Sequence, residues 1–355
     1  MTKPDTSISQ EVCESMQIPH DPSQHGRLRE LIMGFRNTQL VAVAAKLNLA
    51  EYVKNGPKTA MQLSGITGID AGSLYRLLRA LTSIGIFDEI DKNTFAITPL
   101  AGLLCDQTPH SLRSVAILYG EEWLWKAYSQ LSYSIEQGQP AFDYVHGQTL
   151  YDYLKHDHVA GEKFNNAMGE FSQNEAEAIS GAYSFSSAQT IVDIGGGEGA
   201  FVSALLKVNP HLSGIVFDRP DVIDTIQTGV TTSEKNLKIS YVPGDFFSEV
   251  PDGGDTYMLK SVLHNWEDNS CITILRNCRK AMKNGGRLLI IERIVPSGNE
   301  KSEAKLFDVN MLVMTGGQER TEEEYGKLLT AAGYTLSRAI STQSPVGIIE
   351  AIPKG

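Results

Sequence analysis

The sequence predicts an α/β protein in two parts, a mainly helical amino-terminal half followed by a parallel sheet with helices on both faces. Two observations carry this reading. Helix and strand signals are segregated along the chain, with almost no strand signal in the first half. After Ser187, short β-rich runs at 190–194, 214–218, 238–242, 256–260 and 287–295 alternate with helical stretches. Alternation of that kind builds parallel strands joined by crossover helices, and it leaves both faces of the sheet covered. At 355 residues, with 41% apolar and 21% charged side chains, the chain is long enough for two or three globular domains and is neither disordered, collagen-like nor coiled coil.

Residues 1–25, with Pro4, Pro19 and Pro22 among polar side chains, read as an arm. Helices then run to about Cys105, interrupted at 85–97 by two apolar stretches around Asp91-Lys92-Asn93, the pattern of a short hairpin. Helices followed by one hairpin describe a winged helix. Leu31, Ile32, Phe35, Leu40, Val41, Val43 and Ala44 are more apolar surface than one helix of so small a unit can bury at home, so a second copy of the chain is expected as partner. The stretch 111–183 is helical again and aromatic, with Tyr119, Trp123, Trp125, Tyr128, Phe142, Phe164 and Phe171 expected mostly in the core and in part around a pocket. The expected units are an arm at 1–25, a winged-helix-like unit at 26–108, a helical linker at 109–183 and the sheet domain at 184–355.

Charge narrows the partners. Thirty-one Lys and Arg stand against 42 Asp and Glu, a net charge of −11 that repels nucleic acid and anionic membranes. A winged-helix regulator is the rival from another class, since Arg76 and Arg79 lie on a candidate recognition helix. However, nine basic against six acidic side chains between Arg27 and Cys105 is a mild excess, and Leu74, Leu77, Leu78, Leu81 and Ile84 make that helix a packing element. The scattered Cys13, Cys105, Cys271 and Cys278 indicate neither a disulfide framework nor a zinc site, and they suit a reducing, cytoplasmic setting. No secretory or membrane-spanning segment is expected, because residues 1–21 are polar and the best apolar run, 40–50, is short and broken by Lys46. His156-Asp157-His158 reads as a solvated turn, and no metal centre is expected.

In parallel sheets ligands bind beyond the carboxyl ends of the strands. The first strand ends in Val192-Asp193-Ile194-Gly195-Gly196-Gly197-Glu198-Gly199 and leads into a helix near Ala200, glycines that let the main chain turn sharply and approach a ligand. Gly195, Gly197 and Ala200 also fit a loose dinucleotide fingerprint. Asp193 favours S-adenosylmethionine over a nicotinamide dinucleotide, because a carboxylate repels a pyrophosphate but attracts the ammonium and sulfonium of S-adenosylmethionine. Asp218 at the end of the second strand can accept ribose hydroxyls, and it can also simply cap the helix that follows Pro220. Asp245, in Gly244-Asp245-Phe246-Phe247, can accept the adenine amino group while Phe246 covers the base.

With these motifs the chain resembles class I S-adenosylmethionine-dependent methyltransferases. It is most similar to the small-molecule O-methyltransferases of plant caffeic acid and flavonoid and of bacterial polyketide and phenazine metabolism. The resemblance runs from about residue 27 onward and includes Leu259-Lys260-Ser261-Val262-Leu263-His264-Asn265-Trp266 and Gly316-Gly317-Gln318-Glu319-Arg320-Thr321. It implies a Rossmann-like methyltransferase sheet preceded by a winged-helix-like dimerisation domain, and a homodimer. It further implies cofactor contacts at Gly195, Asp218, Asp245, Phe246 and Lys260, to which the glycine loop adds Asp193, Gly197 and Gly199. His264 falls on the family's catalytic base, Glu292 and Glu319 on the acids that orient it, and Phe164, Met168 and Met311 on the acceptor pocket. The family usually reads His-Asp-Trp where this chain has Asn265.

The reaction explains the residue types. Methyl transfer from a sulfonium is an in-line displacement that needs the acceptor oxygen placed and deprotonated. A phenol, with a pKa of about 10, needs a base at neutral pH, and a histidine held by a carboxylate on its far nitrogen can be that base. Residue pattern and resemblance together give an S-adenosylmethionine-dependent O-methyltransferase of an aromatic or polyketide-like small molecule. Transfer to nitrogen or carbon on the same fold is the alternative.

Overall fold

The computed structural model describes residues 22–106, 108–226 and 237–355. Most of the expected arm, residues 1–21, lies outside the described residues, and its last part opens a helix instead. The amino-terminal unit contains α1 (Pro22–Met33), α2 (Phe35–Lys46), α3 (Leu49–Val53), β1 (Lys58–Thr59), α4 (Ala60–Thr67), α5 (Ala71–Ser83), β2 (Phe87–Asp91), β3 (Thr94–Ile97) and α6 (Pro99–Gly102). The expected hairpin is present. Asp91 pairs with Thr94, and Asn93 takes a positive φ of 61° in the turn, a conformation asparagine tolerates better than most residues. The candidate recognition helix α5 starts at Asp70, whose side chain accepts the Ser73 N–H, and buries Leu74, Leu78 and Leu81 against this unit's own core.

A helical segment follows: α7 (Arg113–Tyr119), α8 (Glu122–Tyr128), α9 (Leu131–Gln137), α10 (Ala141–His146), α11 (Leu150–His156) and α12 (His158–Ala182). Asp157 ends one helix and caps the next, accepting the Ala160 N–H at 3.0 Å, so His156-Asp157-His158 is a helix junction. The 25-residue α12 joins two cores. Its amino-terminal half packs Phe164 and Met168 among the aromatics of the helical segment, and its last turns bury Ala176 and Ile179 against the sheet.

The sheet comprises β4 (Thr190–Ile194), β5 (Ser213–Asp218), β6 (Ile239–Pro243), β7 (Thr256–Lys260), β8 (Arg287–Glu292), β9 (Tyr334–Ile340) and β10 (Gly347–Pro353). Between them lie α13 (Ala200–Val208), α14 (Pro220–Ile226), α15 (Asp268–Ala281), α16 (Glu303–Met314) and α17 (Glu322–Ala332). Strand order is β6-β5-β4-β7-β8-β10-β9. The five strands expected from the sequence form the parallel part. The purely parallel sheet needs correction, because β10 pairs antiparallel with both β8 and β9 and closes one edge as a hairpin. From β4 the chain moves outward to β5 and β6, then returns to β7 on the other side of β4. This reversal opens a crevice at the carboxyl ends of β4 and β7, where a ligand can lie between diverging loops.

Candidate active site

The loop after β4 bounds the crevice on one side. Gly195, Gly197 and Gly199 have φ of 71°, 56° and 80°, values that side chains disfavour. A Cβ on Gly195 would lie 2.8 Å from Val262 Cγ2 and one on Gly196 2.8 Å from Asp193 Oδ2, whereas one on Gly197 would meet open space. The loop is thus packed against protein on one side and bare on the other. Asp193 is 1% exposed and lies beneath this loop, behind its bare face. Burial pushes its carboxyl up to about 7, and Oδ1 finds no partner among the described residues.

Asp218 pins the loop from β5. Its Oδ2 accepts the Gly197 N–H at 2.8 Å and its Oδ1 the Arg219 N–H at 2.7 Å. Burial raises this carboxyl and the two N–H donors oppose the rise. Each oxygen retains a lone pair for a further donor. Asp245 is exposed and turns the chain by accepting the Phe247 N–H at 2.9 Å. Phe246 leans on the glycine loop and packs edge-on against Phe247 and Trp266, with centroids 4.9 and 6.0 Å away. Lys260, at the end of β7, is engaged by α12, with Nζ 2.7 Å from Glu175 and 3.1 Å from Ser172.

Next to this crevice His264, Glu292 and Glu319 meet in one buried cluster. Glu292 ends β8, and its Oε1 accepts the N–H groups of Val262 and Leu263 at 2.9 Å and of His264 at 3.4 Å, which fixes the turn that carries the imidazole. His264 Nδ1 lies 2.8 Å from Glu319 Oε1 and 3.1 Å from Glu292 Oε2. With carboxylates on that side Nδ1 carries the hydrogen, and Nε2 has no hydrogen-bond partner among the described residues. Burial lowers the imidazole below its usual range, while the charge of Glu292 opposes that fall. Burial also raises both glutamates, so the cluster resists holding three charges at once.

Neighbouring residues fix this geometry. The Gln318 N–H donates to the His264 carbonyl at 2.8 Å, and a Cβ on Gly317 would lie 1.9 Å from that oxygen. Buried Arg320 donates to the carbonyls of Leu263 and Trp266 at 3.1 and 2.8 Å and pairs with Asp268 at 2.8 Å. Asn265 bonds the carbonyls of Ser261 and Val262 at 3.2 and 3.3 Å, so it serves the turn and contributes no charge to the base.

Phe164 and Met168 border the aromatic cluster of the helical segment, and Met311 is buried on α16. Several neighbours carry no motif and were not singled out by sequence. Tyr151 is one, a phenol pushed up to about 12 by burial and by the charge of Asp218. Glu175, Arg293 and Phe307 are others, while Tyr128, one of the aromatics expected in the core or around a pocket, bonds Asn310 at 2.8 Å.

A sequence profile of the O-methyltransferase domain matches residues 128–335, and one of the O-methyltransferase dimerisation domain matches residues 29–107. The chain is 40% identical over 326 residues to a phenazine O-methyltransferase of Lysobacter antibioticus, covering 92% of this chain and 95% of that one. Among solved structures it resembles a methyltransferase of calicheamicin biosynthesis in its S-adenosylhomocysteine-bound form, with TM-score 0.82, 32% identity and coverage of 94% of this chain and 100% of that one. It also resembles an O-methyltransferase from neocarzinostatin biosynthesis in complex with S-adenosyl-L-homocysteine and 1,4-dihydroxy-2-naphthoic acid. There the TM-score is 0.72 and the identity 30%, with 89% of this chain and 96% of that one covered.

Proposed function

From the premise that this chain belongs to the S-adenosylmethionine-dependent O-methyltransferase family, we propose that His264 is the general base that deprotonates the hydroxyl of an aromatic or polyketide-like acceptor. One observation carries the assignment of the base: two buried carboxylates face Nδ1 at 2.8 and 3.1 Å, which leaves Nε2 to take a proton.

The residues fit the cofactor. Gly197 presents bare main chain to open space, Gly195 and Gly199 supply the positive φ of the turn, Asp193 keeps an unpartnered buried oxygen under the loop, and Asp218 has lone pairs to spare. Asp218 would hold the ribose hydroxyls, Asp245 and Phe246 the adenine, and Asp193 with Lys260 the charged end. When bound, S-adenosylmethionine supplies the electrophilic methyl group. His264 starts as neutral imidazole because burial disfavours its charge. As the acceptor oxygen gains the methyl group its proton passes to Nε2, and Glu319 and Glu292 stabilise the imidazolium that forms. Phe164, Met168 and Met311 form apolar wall for a flat acceptor.

We read residues 26–108 as the dimerisation unit, 109–183 as the segment that walls the acceptor site and 184–355 as the cofactor-binding unit of a cytoplasmic homodimer. Exposed Leu28, Leu31, Ile32 and Phe35 supply the apolar face a second copy would cover. The test is incubation of the full chain with methyl-labelled S-adenosylmethionine and a panel of phenols, catechols, hydroxylated phenazines and polyketides. A labelled methyl ether is expected, and a labelled amine or carbon product would overturn the assignment to oxygen.

A further inference from the structure

Arg293 follows Glu292 at the end of β8 and is only 4% exposed, yet its guanidinium has poor company. Its ion pair is long, 3.7 Å to Glu303, whose side chain is 61% exposed, and its Nε has no hydrogen-bond partner among the described residues. A guanidinium carries five donors, and leaving such a group buried without hydrogen bonds is costly. What it does have is an aromatic face, with the guanidinium carbon 3.8 Å from the Phe307 centroid. Phe307 in turn stacks near His264, with centroids 6.2 Å apart and planes at 29°. The guanidinium, with its Nε unpartnered, is therefore one aromatic ring from the proposed base, a separation that a two- or three-ring molecule can span. Its charge is felt by Tyr119 of α7, by His264 and by Glu319, groups from three elements that converge here. Tyr119 itself packs in the aromatic cluster with Phe164 and Met168.

We propose that Arg293 receives the carboxylate of an acidic aromatic acceptor whose hydroxyl is presented to His264. The proposal rests on the reading of His264 as the point of transfer, and it narrows the acceptor class from flat aromatics to aromatic hydroxy acids. A carboxylate meets a guanidinium edge with two parallel hydrogen bonds, which would complete the donors the fold leaves open.

The test uses the full chain saturated with S-adenosylhomocysteine. Binding of isomeric hydroxynaphthoic acids and of the corresponding naphthols is measured by calorimetry for the wild type, R293Q and R293K. At least one acid should bind the wild type about tenfold to a hundredfold more tightly than its naphthol, the ratio expected for hydrogen bonds to a charged group. In R293Q that ratio should fall to near one, and R293K should keep part of it. Equal binding of acid and naphthol, binding of no acid, or an acid preference that survives in R293Q would overturn the proposal. Failure of the wild type to bind S-adenosylhomocysteine would instead overturn the methyltransferase reading on which it rests.

Discussion

At the residue scale, the balance of charge around His264 sets how the proposed base would work. The imidazole is competent only when neutral, so activity is lost as pH falls through its folded pKa. Because burial holds that value below the usual range, the acid limb of the kcat profile should lie below about pH 6.5. Glu292 pulls the other way, since its negative charge favours the imidazolium. Glu292→Gln keeps an oxygen to accept the main-chain N–H groups of the turn but removes the charge, so the limb should move further toward acid. The maximal kcat should also fall, by less than the roughly 10² to 10⁴ that the base itself is worth. A kcat profile from pH 5 to 9 checks both expectations, and a limb displaced toward alkali would contradict them.

At the element scale, the site depends on turns that the sequence only half discloses. The five parallel strands were legible because each is a short β-rich run followed by a helical stretch, and the glycine loop and Asp218 were legible because strand ends have characteristic residues. The terminal hairpin β9–β10 was not: it sets one reversed strand, β10, between β8 and β9, where alternation alone would continue in parallel. The histidine and two acids of the proposed catalytic cluster sit in separate segments, and their meeting came from family resemblance, since nothing local in the sequence joins residue 264 to 292 or 319. Arg320 and Gly317 show why the rest was hidden. Arg320 looks like a surface cation yet is buried by carbonyls of a turn more than fifty residues away. Gly317 has no turn-specific need for glycine in its own neighbourhood, but its α-carbon abuts the His264 carbonyl. Gly317→Ala must push the histidine turn aside, and displacement of about 1 Å at a reacting group costs about 10²-fold in rate. Kinetics of this variant should show lost kcat with S-adenosylhomocysteine affinity retained in calorimetry; unchanged kcat would mean the turn yields without moving the base.

At the scale of the whole molecule, α12 ties the two halves together. Phe164 and Met168 near its start face the aromatic segment, and Ser172 and Glu175 two turns on hold Lys260 of the sheet. A helix packed on the aromatic segment at one end and on the sheet at the other couples these two parts of the molecule. The amino-terminal unit keeps an uncovered face, with Leu31 67% and Ile32 60% exposed. Apolar side chains that lie exposed side by side on one helix usually meet a partner. Placing charge there, as Leu31→Glu with Ile32→Glu, should convert a dimer to a monomer in light scattering, because an isologous contact buries each glutamate twice. A mass unchanged from the wild type would place the dimer contact elsewhere.

If His264 is the base and takes no part in binding the cofactor, removing its imidazole separates rate from affinity. Single-turnover methyl transfer by His264→Ala, with S-adenosylhomocysteine affinity measured on the same sample, tests it most directly. The expected rate is lower by about 10² to 10⁴ with affinity nearly unchanged. Transfer at the wild-type rate to a phenol that is un-ionised at the assay pH would contradict it.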